Sequence, residues 1–157
     1  IGEDRSGMVD TTPIVRIILR CFFTVVSSLH KDHYENLYAV VAGEKHFTLL
    51  PPSDYFYLYE QEFEAAHYHR DDSTGKWSIL LDDPPTRTPW IPVDPDQPDL
   101  ERYPLASRLR PINVVLKAGE LLYLPSMWYH KVAQWGDKEC RTIAINHWVR
   151  EKELLLR

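Results

Sequence analysis

The same tripeptide, Ala-Gly-Glu, interrupts two separate strand-like stretches of this chain. Leu37–Val41 runs into Ala42-Gly43-Glu44 and resumes as Lys45–Leu50, and Ile112–Leu116 runs through Lys117 into Ala118-Gly119-Glu120 and resumes as Leu121–Leu124. β-Branched and aromatic residues flanking a Gly turn are a strand-turn-strand signal, so each stretch is predicted to be a β-hairpin. Further strand-like runs follow at His130–Gln134 and Cys140–Val149, broken by Pro125 and by Trp135–Glu139. Two such units around a dissimilar middle predict two facing antiparallel sheets, as in a jelly roll or cupin-like barrel. The apolar run Ile14–Val26, interrupted by Arg16 and Arg20, is too short to span a bilayer and reads as one or two strands. It also lacks the layout of a cleavable signal, and the tail Arg150–Arg157 reads as the start of a helix.

The middle, 51–110, differs in kind. It holds nine of the twelve prolines and twelve acidic residues against six Lys and Arg. Its tryptophans, Trp77 and Trp90, with Phe56, Phe63 and several tyrosines, need a surface to pack on, so the segment is expected to be an ordered but irregular insert, with a weak helix near Asp54–Ala66. Its acidity is that of a solvated face or of an entrance that attracts a basic peptide. With 157 residues, 44% apolar content and a net charge of −5, the chain suits one globular domain without a nucleic-acid-binding face. Cys21 and Cys140 make no disulfide framework, which fits a reducing compartment and two buried, inert thiols.

The chemistry starts at His30-Lys31-Asp32. Alternate residues of a strand share a face, so an imidazole and a carboxylate project together. Two histidines and one carboxylate are the ligand set of non-haem iron(II) oxygenases. A third ligand has to come from His33, His46, His67, His69, His130 or His147. His130 stands out, because a turn, a strand, a proline and the aromatic pair Trp128-Tyr129 lead into it, and a metal ligand must be shielded and held. His33, His46 and His147 adjoin site residues but point to the opposite face. His67-x-His69 lacks the cysteine or carboxylate pattern of a zinc site, and Tyr123, Trp128 and Tyr129 read as core and pocket wall.

H-x-D followed by Gly119-Glu-x-x-Tyr-x-Pro-x-x-Trp-x-His130-x-Val132 resembles the jumonji-C (JmjC) family of iron(II)- and 2-oxoglutarate-dependent oxygenases. Within it, His30–Tyr38 followed by Gly43–Phe47 is similar to the small branch known for lysyl hydroxylation of GTP-binding proteins. The resemblance covers residues 24–149 of one JmjC-type domain and leaves 1–20 unmatched. It implies a double-stranded β-helix and an iron site of His30, Asp32 and His130. It also implies a 2-oxoglutarate site in which Lys45 meets the distal carboxylate, with Asn36, Asn146 and Ser27 around it and Trp148 beside it. The family carries barrel strands, and a tyrosine touching 2-oxoglutarate, ahead of H-x-D. No aromatic residue precedes Phe22 here, so the barrel is expected to lack N-terminal strands.

The implied function is oxidation of a protein side chain, lysine by resemblance, using dioxygen and converting 2-oxoglutarate to succinate, in the cytoplasm or nucleus. Two alternatives stand beside it: a lysine demethylase, and a truncated or inactive cupin-like domain that binds a metal or peptide without turnover.

Overall fold

A computed structural model describes residues 17–18 and 25–150 of the chain. Thirteen strands occur among them: β1 (Ile17–Ile18), β2 (Val25–Val26), β3 (His30–Lys31), β4 (Tyr34–Ala42), β5 (Glu44–Leu50), β6 (Gln61–Glu64), β7 (Ala66–Arg70), β8 (Trp77–Leu81), β9 (Arg87–Trp90), β10 (Ile112–Lys117), β11 (Leu121–Leu124), β12 (Tyr129–Trp135) and β13 (Thr142–Arg150). The two main sheets run β1-β13-β4-β11 and β10-β5-β12-β2, with β3 paired to β12. The mainly β, jelly-roll class holds, although neither sheet closes into a barrel. The apolar run at 14–26 contributes the two short strands β1 and β2, and Cys21 and the helix expected over 150–157 lie outside the described residues, apart from Arg150 in β13.

The predicted hairpins are not hairpins. β4 pairs with β11 and β13, whereas β5 pairs with β10 and β12. Each Ala-Gly-Glu turn therefore carries the chain from one sheet to the other instead of folding it back beside itself. Alternating patterns identify strands but not partners, because a corner between sheets and a tight hairpin use the same glycine. Gly43 needs that residue most: φ is +73°, and a Cβ would sit 2.6 Å from the Trp135 carbonyl oxygen.

Between the sheets, Tyr38, Val40, Leu124 and Ala144 from one meet Phe47, Leu49 and Leu116 from the other. Tyr38 and Phe47 pack edge to face, with ring centroids 5.1 Å apart. A second apolar cluster joins Leu29, Leu50 and Tyr129 to the middle segment through Leu58, Ile91, Val93, Tyr103, Ala106 and Leu109. Two lysines tether that segment through three ion pairs: Lys31 Nζ to Glu60, at 2.6 Å, and Lys131 Nζ to Asp94 and Asp96, at 2.6 and 2.7 Å.

Residues 61–90 depart from the irregular packed insert that the composition suggests. They form one long antiparallel arm, β6 with β9 at its base and β7 with β8 beyond. Phe63, Trp77 and Trp90 are exposed on it, and of the three Trp90 alone stacks on a ring of the described residues, that of His30. The helix near 54–66 shrinks to α1 (Tyr55–Leu58), after which Tyr59 adopts a left-handed conformation and β6 begins.

Candidate metal centre and co-substrate cavity

The register of β3 on β12 sets His30 directly opposite His130, and their ring centroids lie 4.3 Å apart. Asp32, just past the end of β3, is drawn to the same place by its own backbone. Met127, left-handed at φ 65°, donates its N–H to the Asp32 carbonyl at 2.8 Å. This clip fixes the turn between β11 and β12 against the loop after β3. Potential ligand atoms of His30, Asp32 and His130 all lie within 4.8 Å of one another, and no other such group of His, Cys, Asp or Glu occurs among the described residues.

Both imidazoles are oriented alike. Nδ1 of His30 donates to the Ser28 carbonyl at 2.8 Å, and Nδ1 of His130 donates to the Trp128 carbonyl at 3.1 Å. Each ring so held keeps the Nε2 lone pair for something else, the tautomer that ligates metals. His130 is 1% exposed, and its Nε2 has no hydrogen-bond partner. Burial, reinforced by nearby His30, lowers its pKa to about 4, so the ring is neutral at physiological pH. A buried orphan nitrogen is costly unless a ligand satisfies it. Two imidazole nitrogens and one carboxylate fit iron(II) or a similar divalent ion, with positions left over. Trp90 lies parallel to the His30 ring at 6.4 Å, within 4°.

Beside the triad lies a cavity of about 350 Å³. Ser27, Lys45, Asn146 and Trp148, four residues the sequence pointed to, line it together with His30 and Asp32. Lys45, opposite Gln134 in the sheet, holds Nζ 5.5 Å from the centre of the Tyr38 ring. Ser27 Oγ accepts the Val132 N–H at 3.0 Å. Asn36 does not line the cavity. It is 1% exposed on the Tyr38 face of β4, and both polar atoms of its amide lack partners. Those two atoms and His130 Nε2 are the buried side-chain polar atoms without partners among the described residues.

Sequence reasoning missed Tyr38, Val132, Gln134 and Ala144 in the cavity wall. Counting in twos from Asn36, His130 and Asn146 finds all four, since alternate strand residues share a face. His33 is exposed, and His46 bonds to Glu44 at 2.9 Å against the Trp135 ring; neither they nor His147 belong to the triad cluster. His67 pairs with Asp82 on the arm, without a third ligand. Two expectations need correction. Tyr123 is exposed, its hydroxyl donating to Glu35, because it falls on the outer face of β11. Cys140 is half-buried, not buried, in the turn before β13.

A sequence profile described as a cupin-like domain matches residues 21–153. Lysine-specific demethylase JMJ32 of Arabidopsis thaliana is 46% identical over 130 residues, covering 78% of this chain and 38% of that protein. JmjC domain-containing protein E of Dictyostelium discoideum is 49% identical over 137 residues, covering 78% and 38%. The human protein named bifunctional peptidase and (3S)-lysyl hydroxylase JMJD7 is 45% identical over 123 residues, covering 78% and 37%. The chain thus spans less than two fifths of the length of each of these three relatives. On the profile match and these identities, the chain belongs to the cupin-like JmjC family of oxygenases, in which dependence on iron and 2-oxoglutarate is typical.

Proposed function

We propose that this chain carries the catalytic core of an iron(II)- and 2-oxoglutarate-dependent oxygenase that hydroxylates a lysine side chain of a protein. One observation carries the reading: His30 and Asp32, which converge with His130 and its buried unpartnered Nε2, line the same cavity as Lys45. When bound, iron(II) supplies the redox chemistry that couples dioxygen reduction and decarboxylation of 2-oxoglutarate to insertion of one oxygen atom into a C–H bond.

The protein's own part is binding, orientation and shielding. His30 and His130 present lone pairs from rings fixed by backbone carbonyls, and Asp32 adds the anionic ligand. Lys45 offers its ammonium to the distal carboxylate of the co-substrate, where a charge-assisted hydrogen bond is strong. Ser27 already accepts the Val132 N–H, so its hydroxyl hydrogen is the part that can donate to the same carboxylate. Asn146 supplies an amide to the cavity wall, whereas the unpartnered amide of Asn36 lies behind it on the Tyr38 face of β4. The side chain of Asp32 is 34% exposed, which leaves the ligand set reachable from solvent on that flank.

Lysine as the target draws on the human relative's name, and a demethylase reading draws on the Arabidopsis relative's name. A GTP-binding protein as substrate and a cytoplasmic or nuclear location belong to the proposal by resemblance to the hydroxylase branch. Incubation with iron(II), ascorbate, 2-oxoglutarate and paired lysine and methyl-lysine peptides separates the readings. Succinate with a gain of one oxygen on unmodified lysine is expected. Formaldehyde from methyl-lysine alone would transfer the reading to demethylation, and folded protein that forms no succinate would end both.

A further inference from the structure

The arm poses a physical problem. An isolated two-stranded ribbon is marginally stable in water, yet among the described elements β7 and β8 pack on each other and on little else. Their register puts Ala66 opposite Leu81, Tyr68 opposite Ile79 and Arg70 opposite Trp77. Directly opposed residues share a face, so Tyr68, Trp77, Ile79 and Leu81 form one apolar ladder, at 74, 66, 67 and 63% exposure. The other face is mixed, with His67, His69, Leu80 and Ser78. A contiguous, regular apolar face of this kind marks a contact surface more than a scatter of exposed side chains does.

Charge and position decide what covers it. Residues 61–90 carry six carboxylates (Glu62, Glu64, Asp71, Asp72, Asp82 and Asp83) against three cations. Two copies of the arm meeting about a two-fold axis would bring these carboxylates together, and like-charge juxtaposition disfavours such a contact. A cationic partner neutralises them. At its base the arm ends in Trp90, parallel to the His30 ring of the triad, so a chain lying along the arm leads towards the metal centre. Among the described residues the outer edge of each strand is unpaired, which lets an extended segment add main-chain hydrogen bonds.

We infer that the 61–90 arm is a docking surface for an extended, basic segment of the protein substrate, with apolar side chains seated on the Tyr68, Trp77, Ile79 and Leu81 ladder. This deepens the oxygenase reading and rests on it for what the docked segment delivers.

Binding measured on metal-free protein separates the two ideas. Fluorescein-labelled peptides of alternating lysine and valine, glutamate and valine, and lysine and serine serve as probes, with Trp77 emission as a second signal. The lysine–valine peptide should bind roughly tenfold or more tightly than either control, about the effect of one buried apolar side chain. Added salt should weaken it. The Tyr68→Ser/Trp77→Ser/Ile79→Thr/Leu81→Thr variant should lose the difference. Asp72→Lys/Asp83→Lys, which leaves the ladder untouched, should weaken binding without altering the circular dichroism. Equal binding of all three peptides would overturn the inference. So would full binding by the folded ladder variant, or a dimer dissociated by Trp77→Ser. Peptide binding without succinate formation would sink the oxygenase reading alone. Hydroxylation of a protein substrate with a KM unmoved by the ladder variant would sink the arm alone.

Discussion

Protonation of His130 offers a test of the site that needs no metal. Burial is the main cause holding this imidazole's pKa at about 4, whereas in the unfolded chain it returns to its ordinary 6.5. Between these values the unfolded state binds more protons, so stability rises with pH across that window. The contribution is fully present above pH 6.5 and fully lost below pH 4. The shift corresponds to about 3 kcal/mol over the whole window, of which about 2 kcal/mol is gone by pH 5. Urea unfolding of EDTA-treated protein at pH 7.5 and pH 5 measures it, with His130→Leu as the reference that cannot titrate. pH 5 lies above the window in which a lowered carboxylate such as Asp71 stops contributing, since that loss begins as pH falls through the ordinary 3.8 and is complete only below about 2. The parent should lose about 2 kcal/mol more than His130→Leu between these pH values. Equal losses would refute the claim that a buried neutral imidazole waits in this site.

Three further outcomes follow from the same geometry. Manganese(II) at a hundredfold its Kd should raise the unfolding free energy by about 2.7 kcal/mol, and Asp32→Ala should abolish the gain in thermal melts. Lys45→Met should weaken 2-oxoglutarate binding roughly 10- to 100-fold in calorimetry while metal-induced stabilisation persists; Ser27→Ala should weaken it by less, roughly tenfold at most. The twin turns should respond unequally to alanine. Gly43→Ala meets two backbone oxygens at 2.6 and 2.7 Å in a left-handed conformation, whereas a Cβ at Gly119 (φ 89°) has nothing within 4 Å. Denaturant unfolding should show a loss of about 3 kcal/mol or more for Gly43→Ala and about 1 kcal/mol for Gly119→Ala.

The legible parts of this chain were those governed by short-range periodicity. Alternation marks β4, β5, β10, β11 and β13 in the sequence, and the facing sheets follow from their number and spacing. His30, Asp32 and His130 were readable because their motifs are ordered along the chain, and β3 and β12 do bring them together. Strand partnership was not readable. Gly43 and Gly119 look like hairpin glycines, and only the pairing of β4 with β13 and β11, and of β5 with β12 and β10, shows them to be corners. The arm was hidden for a different reason: prolines at 84, 85 and 89 and many charges mask a regular ribbon, whose Tyr68–Ile79 and Arg70–Trp77 pairs exist only in register. Tyr38 and Gln134 escaped because no motif flags them, although alternation from Asn36 and His130 places both in the cavity wall.

Anaerobic titration of the purified chain with iron(II) and 2-oxoglutarate reaches the central claim most directly, because the visible metal-to-ligand charge-transfer band requires both in one site. The band should appear in the parent, vanish in His30→Ala and need far more 2-oxoglutarate in Lys45→Met. A folded parent that binds neither iron(II) nor 2-oxoglutarate, and so shows no band, would contradict the account.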